Sequence, residues 1–133
     1  MVIPDSDIWI DYLQHAHSPS AIALGGLIEA DDASLTGIVA AEVLRGARNS
    51  ERRLAVEEMF SAVPYVEMTY DAWIKASEIA RDLDAQGTPV PLPDVIVAAL
   101  ATVTGHEVFT RDKHFQRIPG LRLYNPDKEP SDA

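Results

Sequence analysis

Four acidic residues far apart in the chain, Asp5, Glu42, Asp94 and Asp112, have the type and setting to do chemistry. Carboxylates brought together raise one another's pKa and resist joint ionisation, and a divalent cation reverses that balance. The chain has no cysteine, and His15 and His17, two residues apart, do not share a helix face. The donors on offer are therefore hard oxygens, which suit Mg2+ or Mn2+ better than zinc. Mg2+ retains several waters, so a site of this kind suits hydrolysis at a phosphate, with the ion neutralising charge on the leaving oxygen.

The elements around these acids explain how they could converge. Val2-Ile3-Pro4 reads as a short buried strand delivering Asp5 at its C-terminal end, with Ser6 capping a helix to about Gln14. Ser18-Pro19 opens a second helix to about Glu29. Ser34 to Gly37 reads as a short strand and turn, and a third helix from Ile38 carries Glu42. A fourth helix spans about Ser50 to Phe60. Val63 to Met68 is strand-like, with Pro64 demoting it to an edge or a strand start. Trp73, Ala76, Ile79, Ala80 and Leu83 predict the inner face of a helix from Tyr70 to Ala85. Thr88 to Pro93 holds three prolines and reads as a loop, with Pro93 at the start of a helix beginning at Asp94. Val95 to Ala101 is apolar all round, as suits a buried central helix. Glu107 to Thr110 is a strand leading to Asp112, and Leu121-Arg122-Leu123 completes the sheet. Alternating strands and helices imply an α/β fold, a three-layer α/β/α sandwich with a mostly parallel central sheet. In such folds ligands bind outside the C-terminal strand ends, where Asp5 and Asp112 emerge. Trp9, Trp73 and Phe115 are expected in the core.

Length and composition bound the rest. The 133 residues suit one domain, read as 1–124, followed by a polar, flexible tail over 125–133. With 47% apolar residues the chain can bury a core. The absence of a basic start or a long apolar run excludes a signal peptide and a membrane span, so a cytoplasmic protein is expected. The net charge of −10 argues against binding nucleic acid through a broadly basic surface. The cations are uneven, however. None precedes Arg45; Arg45, Arg48, Arg52 and Arg53 then cluster, as do Arg111, Lys113 and Arg117.

Four local words occur in order: Asp5-Ser6 after an apolar run, Val39-Ala40-Ala41-Glu42-Val43-Leu44-Arg45-Gly46, Leu92-Pro93-Asp94-Val95-Ile96-Val97-Ala98-Ala99, and Thr110-Arg111-Asp112-Lys113-His114-Phe115. Together they resemble the PIN-domain family, specifically the VapC toxins of type II toxin–antitoxin pairs, over roughly residues 2–123. The resemblance implies a PIN-like fold and a Mg2+- or Mn2+-dependent endoribonuclease that hydrolyses RNA through metal-activated water. It also implies a small antitoxin partner and a homodimer. By position, Asp5, Glu42, Asp94 and Asp112 would hold the metal and carry catalysis, with the hydroxyls of Ser6 and Thr110 in support. Arg45, Arg111, Lys113 and His114 are the residues placed to contact RNA. Where many relatives carry a further acid, this chain has His114, which implies four acidic ligands and weaker binding of a second metal. Competing readings are a non-catalytic RNA- or protein-binding module on the same fold, a receiver domain, and a haloacid-dehalogenase-like phosphatase suggested by Asp5-Ser6-Asp7. In the last, Asp7 is expected to face away from Asp5.

Overall fold

The computed structural model describes residues 1–127; residues 128–133, most of the expected tail, lie outside the described residues. Two regular strands, β1 (Val2–Pro4) and β2 (Glu107–Phe109), pair in parallel with Ile3 opposite Val108. Isolated parallel bridges extend this pair on both sides. Val2 bridges Ala33 and Leu35 bridges Tyr65 on one side, and Val108 bridges Leu123 on the other. The expected strands near Ser34, Val63 and Leu121 are thus extended segments held by isolated bridges, two for the first and one for each of the others. The edge position of Val63 to Met68 has a backbone reason. Leu35 N donates to Pro64 O and Val66 N donates to Leu35 O, so the missing proline N–H interrupts neither bond.

Among the described residues six α-helices surround the sheet: α1 (Ser6–Gln14), α2 (Pro19–Glu29), α3 (Gly37–Arg45), α4 (Ser50–Ser61), α5 (Tyr70–Ala85) and α6 (Leu92–Thr104). Val2, Ile3 and Pro4 are all buried, although successive strand residues point to opposite faces, so both sheet faces are covered. The seven residues Val95 to Ala101 are buried without exception, making α6 the central helix.

Three local expectations are corrected. Asp5, rather than Ser6, caps α1: its Oδ1 accepts from Ile8 N at 3.2 Å, and Ser6 is the first helical residue. Helix α6 begins at Leu92, two residues before Asp94. The first turn of a helix has no use for the N–H that Pro93 lacks, so proline is tolerated there. Trp73 is half-exposed, because the buried stripe of α5 runs through Ala72, Ala76, Ile79 and Leu83, and Trp73 sits one position to its side.

Trp9 and Phe115 are buried as expected. Trp9 packs edge-on against Phe60 of α4, with ring centroids 5.3 Å apart, which ties α1 to α4. Replacing Trp9 by alanine should cost about 3–5 kcal/mol of stability in urea unfolding. A double-mutant cycle with Phe60→Ala should return a coupling of about 0.5–1.5 kcal/mol.

Candidate active site

Asp5 follows β1 directly, and its backbone N–H donates to Phe109 O at 2.9 Å, the last bond of the β1–β2 pair. Thr110 follows β2 and stands beside it. The Thr110 hydroxyl donates to Asp5 Oδ2 while its Oγ1 accepts from Asp112 N at 2.9 Å. One hydroxyl therefore orients two of the four acids. Asp112 caps the 3-10 turn Lys113–Arg117, accepting from His114 N at 2.9 Å. Asp94 lies in the first turn of α6, where the helix N-terminus favours a negative charge. Glu42 lies on α3, half-buried next to the inward-facing Val43.

Asp94 is the electrostatic centre of the group. Burial, with repulsion from Asp112 and Glu42, pushes its carboxyl up to about 6 against a smaller lowering by His114. Asp5 is also pushed up to about 6, mainly by burial, against hydrogen bonds from Thr110 and Ile8 that lower it. The tightest cluster among the described residues is Asp94, Asp112 and His114, whose donor atoms lie within 4.8 Å of one another. Asp5 and Glu42 border this cluster: Asp94 raises Asp5 and Glu42 raises Asp94, with neither Asp5 nor Glu42 belonging to the tight trio.

Ser6 is half-buried, and no hydrogen bond from its hydroxyl is found among the described residues. Arg45, Arg111 and Lys113 are exposed, and no ion pair joins Arg45 to Glu42 among the described residues. Sequence reasoning missed two acids. Asp7, expected to face away, is close enough to repel both Asp5 and Asp94 upward. Asp11 is buried on α1, where its Oδ2 accepts from the hydroxyls of Ser18 and Ser20 and its Oδ1 lies 4.0 Å from Arg111 Nη1. Those hydroxyls hold its carboxyl below the ordinary range. The seven-residue spacing from Asp11 to the Ser18-Pro19-Ser20 cap was its only sequence signal.

The donor set fits a divalent cation. Asp94 is coupled to Asp5, Glu42 and Asp112, Asp5 and Asp94 are raised by burial and mutual repulsion, and Arg111 lies 4.0 Å from Asp11. His114 Nδ1 adds a buried polar atom with no hydrogen-bond partner in the same cluster.

The PIN-domain family matches this chain over residues 2–121. The tRNA(fMet)-specific endonuclease VapC of Salmonella typhimurium is 35% identical over 94 residues, covering 67% of this chain and 71% of that protein. The structure of DNA-bound VapBC from Salmonella typhimurium superposes with a TM-score of 0.81 at 26% identity, over 94% of this chain and 97% of that one. VapBC2 from Rickettsia felis, bound to a promoter DNA fragment, has the same fold, with a TM-score of 0.81 at 19% identity over 94% and 98% of the two chains. The chain belongs to the PIN-domain family. Within it, the likeness runs to the VapC type, as the four sequence words implied. The dehalogenase-like and receiver readings are thereby set aside.

The raised acids carry a cost in the metal-free protein. Their folded-state pKa lies above the ordinary 3.8, so protonation favours the fold. The stabilisation is complete below about pH 4 and is lost as pH rises through about 6. For Asp94, which is only partly buried, solvent screening brings a shift of this size to about 1–3 kcal/mol. With EDTA present, Asp94→Asn should therefore raise stability at pH 7.5 by about 1–3 kcal/mol, and change it little at pH 4. Paired urea titrations check this, and a destabilised variant at pH 7.5 would contradict the repulsion.

Proposed function

We propose that the chain is a Mg2+- or Mn2+-dependent endoribonuclease and the toxin of a toxin–antitoxin pair. The observation that carries the reading is the convergence of Asp5, Glu42, Asp94 and Asp112 beyond the C-terminal end of the β1–β2 pair on a PIN fold. Asp94 and Asp112 would hold the ion most directly, with Glu42 and Asp5 completing the acidic wall. A bound divalent ion would supply an acidified water and neutralise charge on the scissile phosphate. Thr110 keeps Asp5 turned towards the cluster and fixes the Asp112 backbone, so the acids are aligned before substrate arrives. Asp11 restrains the guanidinium of Arg111, which with Lys113 and Arg45 is placed to meet the RNA backbone. Water attack in line would leave a 5′-phosphate and a 3′-hydroxyl. The cytoplasm, where RNA is met, is the compartment this reading requires.

The purified protein, freed of any antitoxin, should cleave RNA with Mg2+ or Mn2+ and stop on addition of EDTA. The panel should include initiator transfer RNA, the substrate named for the Salmonella relative. Asp94→Asn should lower the rate at least about a hundredfold. A 2′,3′-cyclic phosphate product, or an Asp94→Asn variant as fast as wild type, would exclude the mechanism. Inactivity of folded protein across the panel would favour a non-catalytic binding module.

Two surfaces support the partner assignments. An apolar groove of about 320 Å³ between α1, α3 and α4 is lined by Ile10, Leu13, Val43 and Val56 and rimmed by Arg48 and Arg52. Its shape suits an amphipathic segment of an antitoxin. On α5, Tyr70, Trp73 and Ile74 form an exposed apolar stripe at helical spacing, which suits a homodimer contact. Trp73→Glu should weaken self-association at least about tenfold in sedimentation equilibrium.

A further inference from the structure

His114 stands where the resemblance leads one to look for another acid, and its ring is not simply a surface group. The Nδ1 atom is shut off from solvent and lacks a hydrogen-bond partner, while the ring as a whole is 40% exposed. It lies 3.2 Å from Asp112 Oδ1 and 3.8 Å from Asp94 Oδ2. Two neighbouring donors on one octahedral ion, each about 2.1 Å from it, stand about 3 Å apart, and opposite donors about 4.2 Å apart. The two separations fall within that range. The 3-10 turn explains the placement: Asp112 Oδ1 accepts the His114 backbone N–H, so one turn presents both side chains to the cluster. A buried Nδ1 cannot be the atom offered to a phosphate arriving from solvent, which argues against His114 as a simple RNA contact through that nitrogen.

We propose that His114 Nδ1 is a nitrogen ligand of the divalent ion held by Asp94 and Asp112, and that it turns the site's preference towards Mn2+ over Mg2+. The proposal rests on the metal-dependent reading of the site. Replacing a carboxylate donor by a neutral imidazole removes one negative charge and substitutes a softer donor. Mg2+ favours oxygen ligands and water, whereas imidazole belongs to the first-row transition metals.

The test is pulsed electron paramagnetic resonance on the full-length protein loaded with Mn2+, beside calorimetric titration with Mn2+ and Mg2+ separately. Wild type should show 14N modulation, which should convert to 15N modulation when histidine alone is 15N-labelled. Folded His114→Asn should lose the modulation and bind Mn2+ about tenfold more weakly, with a smaller change for Mg2+. His114→Asp should lose the modulation and reverse the preference towards Mg2+. Tight Mn2+ binding that requires Asp94 and Asp112 but shows no nitrogen modulation would overturn the assignment while leaving the metal site intact. Modulation that persists in folded His114→Asn would overturn it as well. Absence of Mn2+ binding to wild type, or binding unchanged in Asp94→Asn, would overturn the underlying metal reading and this ligand with it. If a His114 variant fails to fold, the labelling arm still tests whether a histidine binds the ion, and His114 is the histidine that stands with Asp94 and Asp112 among the described residues.

Discussion

The parallel pairing of β1 with β2 is the constraint on which the site depends. Pro4 lies opposite Phe109, so Asp5 and Thr110 emerge side by side although 105 residues separate them in sequence. A slip of one residue would turn every side chain of one strand to the other face. It would take the Thr110 hydroxyl away from Asp5. Burial forbids the slip. Both faces of the short β1 strand are packed, and Val108 and Phe109 are buried as well. Three residues per strand suffice because the register is set by what covers the pair as well as by the hydrogen bonds within it.

Two buried aspartates show how surroundings divide structural from chemical roles. Asp11 is satisfied by the hydroxyls of Ser18 and Ser20 with Arg111 nearby, and its carboxyl lies below the ordinary range. It anchors the start of α2 to α1. Asp5 receives one hydroxyl and one backbone N–H, yet burial and the acids around it leave it raised. The same residue type, nearly as inaccessible in both places, is held ionised in one and strained in the other. Strain of this kind persists only where the surrounding fold over-determines it. The rigid frame here is α6, buried along its centre and carrying Asp94 in its first turn.

Much of this frame was legible in the sequence because periodicity and capping are local. Helix α2 follows from its serine and proline start, α1 and α5 from their apolar spacing, and the unbroken apolar run from Val95 marks the central helix. The proximity of the four acids was legible through strand ends and word order. What local pattern could not show was phase and partnership. Trp73 looked inward until the stripe through Ala72 and Ala76 fixed the rotation of α5. Asp7 looked remote because helix geometry alone separates it from Asp5, whereas the approach of α6 brings Asp94 towards both. Asp11 acquired its partners only when α2 folded back against α1. These three misses concern how elements pack, which no single window of sequence contains, whereas the cap of α1 and the start of α6 were local misses.

The net charge of −10 stands against RNA binding only if affinity must come from a basic surface. At physiological ionic strength, exposed charges are screened beyond about 8 Å, so remote acids matter less to an approaching phosphate than the groups at the site. Arg111 and Lys113 flank Asp112, and Arg45 ends the helix that carries Glu42. On the proposed reading, a divalent ion among the acids would supply the positive charge that the chain as a whole lacks. Affinity for RNA and competence to cut it would then rise together with occupancy of one centre. A metal-free molecule would present a negative wall to phosphate and hold its substrate poorly. The acidic composition that first argued against a nucleic-acid enzyme would become a means of making binding conditional on the ion.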